Sequence, residues 1–207
     1  QVISKDSTQI LIGDTIYYNR NTGIGKVYGH MFLQDTVKKV ILKGNYGYYN
    51  EKTEFALATD SAYAIEYSQK DSLYIHADTL KMITDSLGKE MKAYPNARFY
   101  RIDLQGICDT MHYVSKDSTI YLKKDPVIWN EDNQILGDRI DILLNDSTIE
   151  KAFVRYYAFT IQKRPIEDQY NQLKGRNMTV SFLDGEIRHV LVEGSAESLY
   201  YLMEKDS

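Results

Sequence analysis

Four separated segments of the chain alternate apolar and polar residues in the same phase, and this repeat limits the possible folds most. Each segment begins with a small residue followed by a charged one. Because side chains on a β-strand point alternately to opposite faces, each segment is predicted to be a strand with one buried side. The segments are residues 13–18, 77–82, 137–142 and 175–180, and their buried positions are predicted to be Ile16/Tyr18, Leu80/Met82, Ile140/Ile142 and Met178/Val180.

A second motif lies between these segments and places a glycine after alternating hydrophobic residues. It occurs at residues 40–44, 102–106 and 190–194, and a tyrosine follows each copy. A glycine inside a strand usually marks a bulge or a bend, so the motif predicts a corner where successive strands turn together. Leu42, Leu104 and Val192 are its inward-facing candidates. Turn signals recur at short intervals along the chain, and we therefore expect stacked, unequal rungs of antiparallel strands.

The composition supports a β-rich protein and excludes some function classes. Tyrosine occurs 18 times against 6 Phe and 1 Trp, and aromatic residues favour strands. The net charge of −4 and the mixing of acids with bases argue against a nucleic-acid interface. We expect one domain over residues 1–207, a long polar loop at 85–98 and one short helix from Pro165 to about Gly175. The start at Gln1 is expected of a mature or truncated chain.

The residues that could carry chemistry are explained more simply by structure. Cys108 lies beside an apolar residue and is predicted to be a small core side chain. Asp14, Asp78 and Asp138 recur at one repeat position, which indicates a shared bulge or turn rather than a site. We therefore predict no enzymatic activity, no cofactor and no metal site. The histidines lack the spacing of known zinc ligands; they are His30, His76, His112 and His189.

Several segments together resemble the OstA-like (LptA-type) family of periplasmic lipopolysaccharide-transport proteins. That family includes the periplasmic bridge and the N-terminal domain of the outer-membrane translocon LptD. The resemblance runs from about Gln9 to Tyr201, whereas the stretches at 85–98 and 155–173 and the tyrosine richness depart from the better-known bridge proteins. The segments that carry it are residues 71–80, 25–29, 40–49 and 125–129, the last leading to 137–140.

The resemblance implies an all-β, V-shaped, slightly open β-jellyroll of stacked antiparallel strands. Its groove would hold lipid acyl chains, with sugars and phosphates outside. An acyl chain in water costs about 0.8 kcal/mol per methylene, so an apolar groove would remove a large penalty. The alternative is that the same side chains pack against each other as a filled core. The candidate lining residues are Ile16, Tyr18, Leu42, Leu80, Met82, Leu104, Ile140, Ile142, Met178, Val180 and Val192.

The resemblance also implies a location and partners. The chain would be a non-enzymatic, lipid-binding domain of outer-membrane biogenesis in the periplasm of a Gram-negative bacterium, or attached to the outer membrane through a partner or a missing segment. It would bind lipopolysaccharide or a related lipid, and join other OstA-like domains or copies of itself head to tail by strand addition. Two alternatives remain open. One is a β-rich accessory domain with a filled core that recognises glycan or protein, and the other is a β-solenoid polysaccharide-cleaving enzyme.

Overall fold

The computed structural model describes residues 2–5, 8–68, 71–86, 88–102, 104–145, 148–165 and 168–201, without the side chains of residues 2–5 and 85. These residues form one antiparallel sheet of 19 strands. The predicted all-β class is therefore confirmed. The helices within the described ranges are two short 3₁₀ turns, Glu51–Thr53 and Ser115–Asp117.

The strands of the first half of the chain are β1 (Val2–Lys5), β2 (Gln9–Gly13), β3 (Thr15–Asn19), β4 (Ile24–Asp35), β5 (Val40–Asn50), β6 (Phe55–Glu66), β7 (Leu73–Asp85), β8 (Gly88–Tyr94) and β9 (Ala97–Arg101). Those of the second half are β10 (Leu104–Cys108), β11 (Thr110–Val114), β12 (Thr119–Lys123), β13 (Val127–Asn130), β14 (Asn133–Leu136), β15 (Arg139–Asn145), β16 (Thr148–Lys163), β17 (Tyr170–Leu183), β18 (Glu186–Glu193) and β19 (Glu197–Leu199).

A corner runs across the sheet, and it divides the strands into two arms. Long strands cross the corner at a register shift, and short strands end there. We call each passage of the chain from one arm to the other a rung. The first arm contains β1, β2, β9, β10, β13, β14, β19 and residues 31–35, 40–44, 62–66, 73–77, 158–163 and 170–175. The second arm contains β3, β8, β11, β12, β15, β18 and residues 24–28, 46–50, 55–59, 79–85, 148–155 and 177–183.

The corner is built from two backbone conformations on neighbouring rungs. One rung has two consecutive left-handed residues, as at Tyr156 and Tyr157 with φ of 59° and 51°. The next rung presents the predicted small-then-charged pair, and the backbone N–H of Asp138 donates to the carbonyl of Tyr156 at 3.2 Å. Asp14 and Asp78 make the same kind of bond to the carbonyls of residues 28–29 and 95. The interpretation of these aspartates as parts of a shared bend is confirmed.

Three local predictions were wrong. The predicted loop at 85–98 is largely strand: β7 runs to Asp85, β8 covers Gly88–Tyr94 and β9 begins at Ala97, while Leu87 lies outside the described residues. Residues 170–175 belong to β17 rather than to a helix, because Tyr170 to Gly175 pair with β16; Ile166 and Glu167 lie outside the described residues. Gly106 is not at the corner. It faces the Phe99 ring within the first arm, where a side chain would collide with that ring.

Candidate functional site

The predicted inward residues of the repeated segments fall into continuous rows across the second arm. Register places each member of the first inner row directly opposite the next on the neighbouring strand. Every member is apolar and buried or half-buried. The row contains Ile16, Val27, Gly47, Ala58, Leu80, Ala93, Met111, Leu122, Ile140, Val154, Met178 and Val192.

The remaining candidates lie beside this row. Tyr18, Met82, Ile142 and Val180 belong to the second inner row of the same arm, two residues farther from the corner. Leu42 and Leu104 lie in the first arm. The second inner row contains Tyr18, Gly25, Tyr49, Ala56, Met82, Met91, Tyr113, Ile120, Ile142, Ala152, Val180 and Val190.

Burial separates the candidates into two groups. Ile140, Ile142 and Val180 are 0 % exposed, so the interior around them is closed to water. In contrast, Tyr18 is 51 % exposed, and its hydroxyl donates to the Glu51 carboxylate at 2.8 Å. Leu80, Leu104 and Met178 are also buried. Ile16, Leu42 and Val192 are half-buried, and Met82 is exposed.

The rungs at residues 9–66, the N-terminal rungs, combine small and large side chains in their interior. Gly47, Ala58 and Ala62 are buried near the corner. Towards the free ends of the arms, Leu11 and Leu42 are only half-buried against the core. The inward apolar side chains at these ends are therefore less completely covered than the fully buried ones of the later rungs.

The rungs at residues 104–183, the C-terminal rungs, have a closed interior filled by larger side chains. The fully buried members include Met111, Leu122, Ile128 and Ile135. The free ends of the two arms also meet here, since the Asn130 side-chain amide in β13 donates to the carbonyl of Gly185 in the β17–β18 turn at 3.0 Å. The interior of the C-terminal rungs is therefore a packed core.

The outer face of the second arm holds an ion cluster that the sequence analysis did not find. Asp141 is 4 % exposed although it points away from the interior, because Arg139 and Arg155 cover it. The Nε atoms of these arginines donate to its two carboxylate oxygens at 2.6 and 3.0 Å. Register places Arg139 directly opposite Arg155. The shared carboxylate therefore bridges the two opposed cations and offsets part of their repulsion.

The remaining reactive groups are explained by packing and turns. Cys108 is buried, which confirms the prediction of a core residue, and burial raises the pKa of its thiol to about 12. The exposed His30 ring pairs with Asp14 at 2.7 Å, and His112 with Glu90 at 3.0 Å. Within the described ranges, no group of 3 or more His, Cys, Asp or Glu side chains is arranged to hold a metal ion.

No family model and no curated protein sequence matches the chain. Among solved structures it is similar to LptH, the LptA-homologous periplasmic component of the conserved lipopolysaccharide transport device from Pseudomonas aeruginosa. The two are 11 % identical with a TM-score of 0.47, and the match covers 56 % of this chain and 81 % of LptH. This degree of similarity does not place the chain in a family. No helix in the described part of the chain is long and apolar enough to cross a membrane.

Sequence reasoning missed the small-residue lining and the surface charges for different reasons. Ala56 and Ala58 alternate as strand residues should, so the small lining could have been read from the sequence. The pairing of Asp141 with Arg155 could not have been read from the sequence, because Arg155 lies on another strand and only the register brings these two residues together.

Proposed function

We propose that this chain is a non-enzymatic periplasmic domain that binds the acyl chains of lipopolysaccharide or a related lipid during transfer to the outer membrane. The observation that carries the proposal is the first inner row, an unbroken apolar strip that crosses the second arm from β3 to β18. Apolar surface of this kind suits a hydrocarbon chain, whose burial is favourable by about 0.8 kcal/mol per methylene.

The N-terminal rungs are the proposed entry site. Their inward side chains at Leu11, Ile16 and Leu42 are only half-buried, so a lipid can cover them further. Passage beyond this point requires the two arms of the C-terminal rungs to separate, since Ile140 and Val180 are sealed and Asn130 joins the ends of the arms.

The ends of the sheet supply the proposed contacts with other domains. In the described part of the chain, β1 pairs only with β2 and β3 only with β4. At the other end, β18 and β19 pair only with β17. Such edges carry unpaired backbone N–H and C=O groups, which bind an added strand. We propose that the β18–β19 end of one domain joins the β1–β3 end of the next, in copies of this chain or in related transport domains.

Photo-crosslinking to purified lipopolysaccharide tests the lipid proposal. A benzophenone amino acid at position 42 faces the interior of the first arm, and the same group at position 43 provides a matched control on the opposite face. We expect lipid adducts from position 42 and few from position 43. Circular dichroism of both variants shows that they are folded. Equal yields from the two positions, or no adduct at 42, would exclude the interior as the lipid site.

A second candidate function rests on the outer face of the first arm. Tyr63, Tyr74 and Tyr100 form a chain of ring contacts there, with centroids 6.2 and 6.1 Å apart. Trp129 lies two strands farther along the row of Tyr100, beyond Gln105. Aromatic rings interspersed with amides are suited to binding sugar rings, so this surface favours an accessory domain that recognises glycan.

A soluble-oligosaccharide titration separates the two functions. Glycan binding that is lost in Tyr100→Ala, together with no lipid adduct at position 42, would favour the accessory domain. The matched control is Tyr28→Ala, which removes another exposed, ring-paired tyrosine from the second arm.

A further inference from the structure

A basic depression lies on the outer face of the second arm, opposite the inner rows. Its volume is about 350 Å³, and it opens to solvent. The chain carries a net charge of −4, so a concentration of cations at one place needs a local explanation. The lining residues are Lys81, Lys92, Tyr94, Thr110, His112 and Lys123.

The register places basic side chains directly opposite each other in this depression. Lys81 is opposite Lys92 on the neighbouring strand, and Lys92 is opposite His112 on the next. Directly opposed residues of an antiparallel pair have Cβ atoms about 5 Å apart, and like charges there are destabilising. Lys81 turns its Nζ over the Phe55 ring at 5.3 Å. Among the described residues, Lys81, Lys92 and Lys123 form no salt bridge.

The acidic groups near the depression are already bound to other partners. Glu90 pairs with His112 at 3.0 Å. Asp109 pairs with Lys124 at 2.9 Å. Neither carboxylate therefore serves as the counter-ion of the opposed lysines.

The neighbouring ion cluster provides a direct comparison. Arg139 and Arg155 are also opposed on adjacent strands of the same outer face, and there the protein provides Asp141 between them. Lys81 and Lys92 have the same arrangement without an internal carboxylate. Asp141 reduces the electrostatic repulsion between Arg139 and Arg155. The repulsion between Lys81 and Lys92 is left for an external anion to reduce.

We propose that this depression binds a phosphate group. A phosphate monoester carries up to about two negative charges on three oxygens, so it can contact several ammonium groups at once. Lysine binds phosphate as a point charge. The hydroxyl of the exposed Tyr94 at the rim can donate a further hydrogen bond. The inference uses only the outer face, so it does not depend on lipid binding by the interior.

Titration with inorganic pyrophosphate tests the site directly. We expect it to raise the thermal midpoint of the wild-type protein and to shift backbone amide signals of β8, β11 and β12 in NMR spectra. The double variant Lys92→Gln/Lys123→Gln should bind at least about tenfold more weakly, because two charge-assisted contacts are lost. Without ligand it should be at least as stable as the wild type, since opposed charges have been removed.

The control is Lys43→Gln, in a separate depression that also contains Asp60. It should bind pyrophosphate like the wild type. Equal weakening by Lys43→Gln and by the double variant would mean that only the overall charge matters, which would overturn the proposal.

A second arm of the experiment identifies the source of the phosphate. Phosphatidylcholine vesicles with and without phosphatidic acid are sedimented with the wild type and the double variant. Retention that needs both phosphatidic acid and the two lysines indicates a phosphate on a lipid headgroup, whereas pyrophosphate binding without such retention indicates a soluble phosphate ester. Binding of neither probe overturns the proposal.

Discussion

The N-terminal and C-terminal rungs share one architecture, but they differ in how they fill it. Both continue the same inner rows and cross the same corner. The N-terminal rungs use Gly47 and Ala58 where the C-terminal rungs use Ile140 and Val154. The comparison shows that strand pairing and interior filling are set separately: alternation fixes which side chains point inward, and their volume determines whether the space between the arms is closed.

Truncation of an inward residue should cost much more in the C-terminal rungs. Ile140→Ala removes a side chain with no exposed surface and should lower the free energy of unfolding by about 3 kcal/mol, because a cavity remains. Leu42→Ala, at a half-buried position, should cost only about 1 kcal/mol. Urea denaturation measures both. Equal losses would show that the two interiors are packed equally well.

Replacing an inward glycine by alanine should also lower the stability more in the C-terminal rungs than in the N-terminal rungs. Gly106→Ala in the C-terminal rungs would drive a Cβ into the buried Phe99 ring and should cost about 2 kcal/mol. In Gly47→Ala, the Cβ meets the flexible end of Met31, and the cost should be below about 1 kcal/mol. Thermal unfolding of the two variants tests this difference, and a larger loss at Gly47 would contradict it.

A buried carboxylate in the N-terminal rungs should make part of their stability depend on pH. Burial alone would raise the pKa of Asp35, but hydrogen bonds from the Lys38 N–H, the Gln9 amide and the Val37 N–H outweigh it and lower the pKa. A lowered pKa in the folded state means that the contribution is present near neutral pH and is lost as the pH falls below about 4.

Asp35→Asn should therefore destabilise the protein by about 1 kcal/mol at neutral pH. The difference from the wild type should shrink as the solution is acidified through the pKa of the aspartate. Urea unfolding at a series of pH values measures it. A difference that stays constant with pH would show that the charge of Asp35 does not contribute.

Thiol reactivity is the smallest of the expected effects, and it compares solvent access to the two interiors. With a pKa of about 12, Cys108 should react slowly with iodoacetamide at mildly alkaline pH and rapidly once unfolded in urea. A cysteine at position 42, in a Cys108→Ala background, should react faster in the folded protein because Leu42 is half-buried. Mass spectrometry follows both reactions. If Cys108 were labelled faster than a cysteine at position 42, the C-terminal interior would not be the more closed of the two.

Alternation along the strands made much of this architecture predictable. It identified the phase of Ile16, Leu80, Ile140 and Met178, which register places in one row. It did not predict how full the interior is, because packing depends on side chains from both arms. The polar residues after Asp85 predict a loop, but they lie on the outward face of β8. The lysine depression was missed for a related reason, since Lys81 and Lys123 are far apart in sequence.

The pairing order of the sheet has a consequence for how the chain folds. Each rung pairs with the rung before it and the rung after it. The sheet can therefore extend one hairpin at a time, and closing each new hairpin requires only a short loop and little chain entropy. Such a protein should fold faster than other β-proteins of its size. Hydrogen exchange should begin at the two outermost rungs and proceed inward, as in a linear array of repeats.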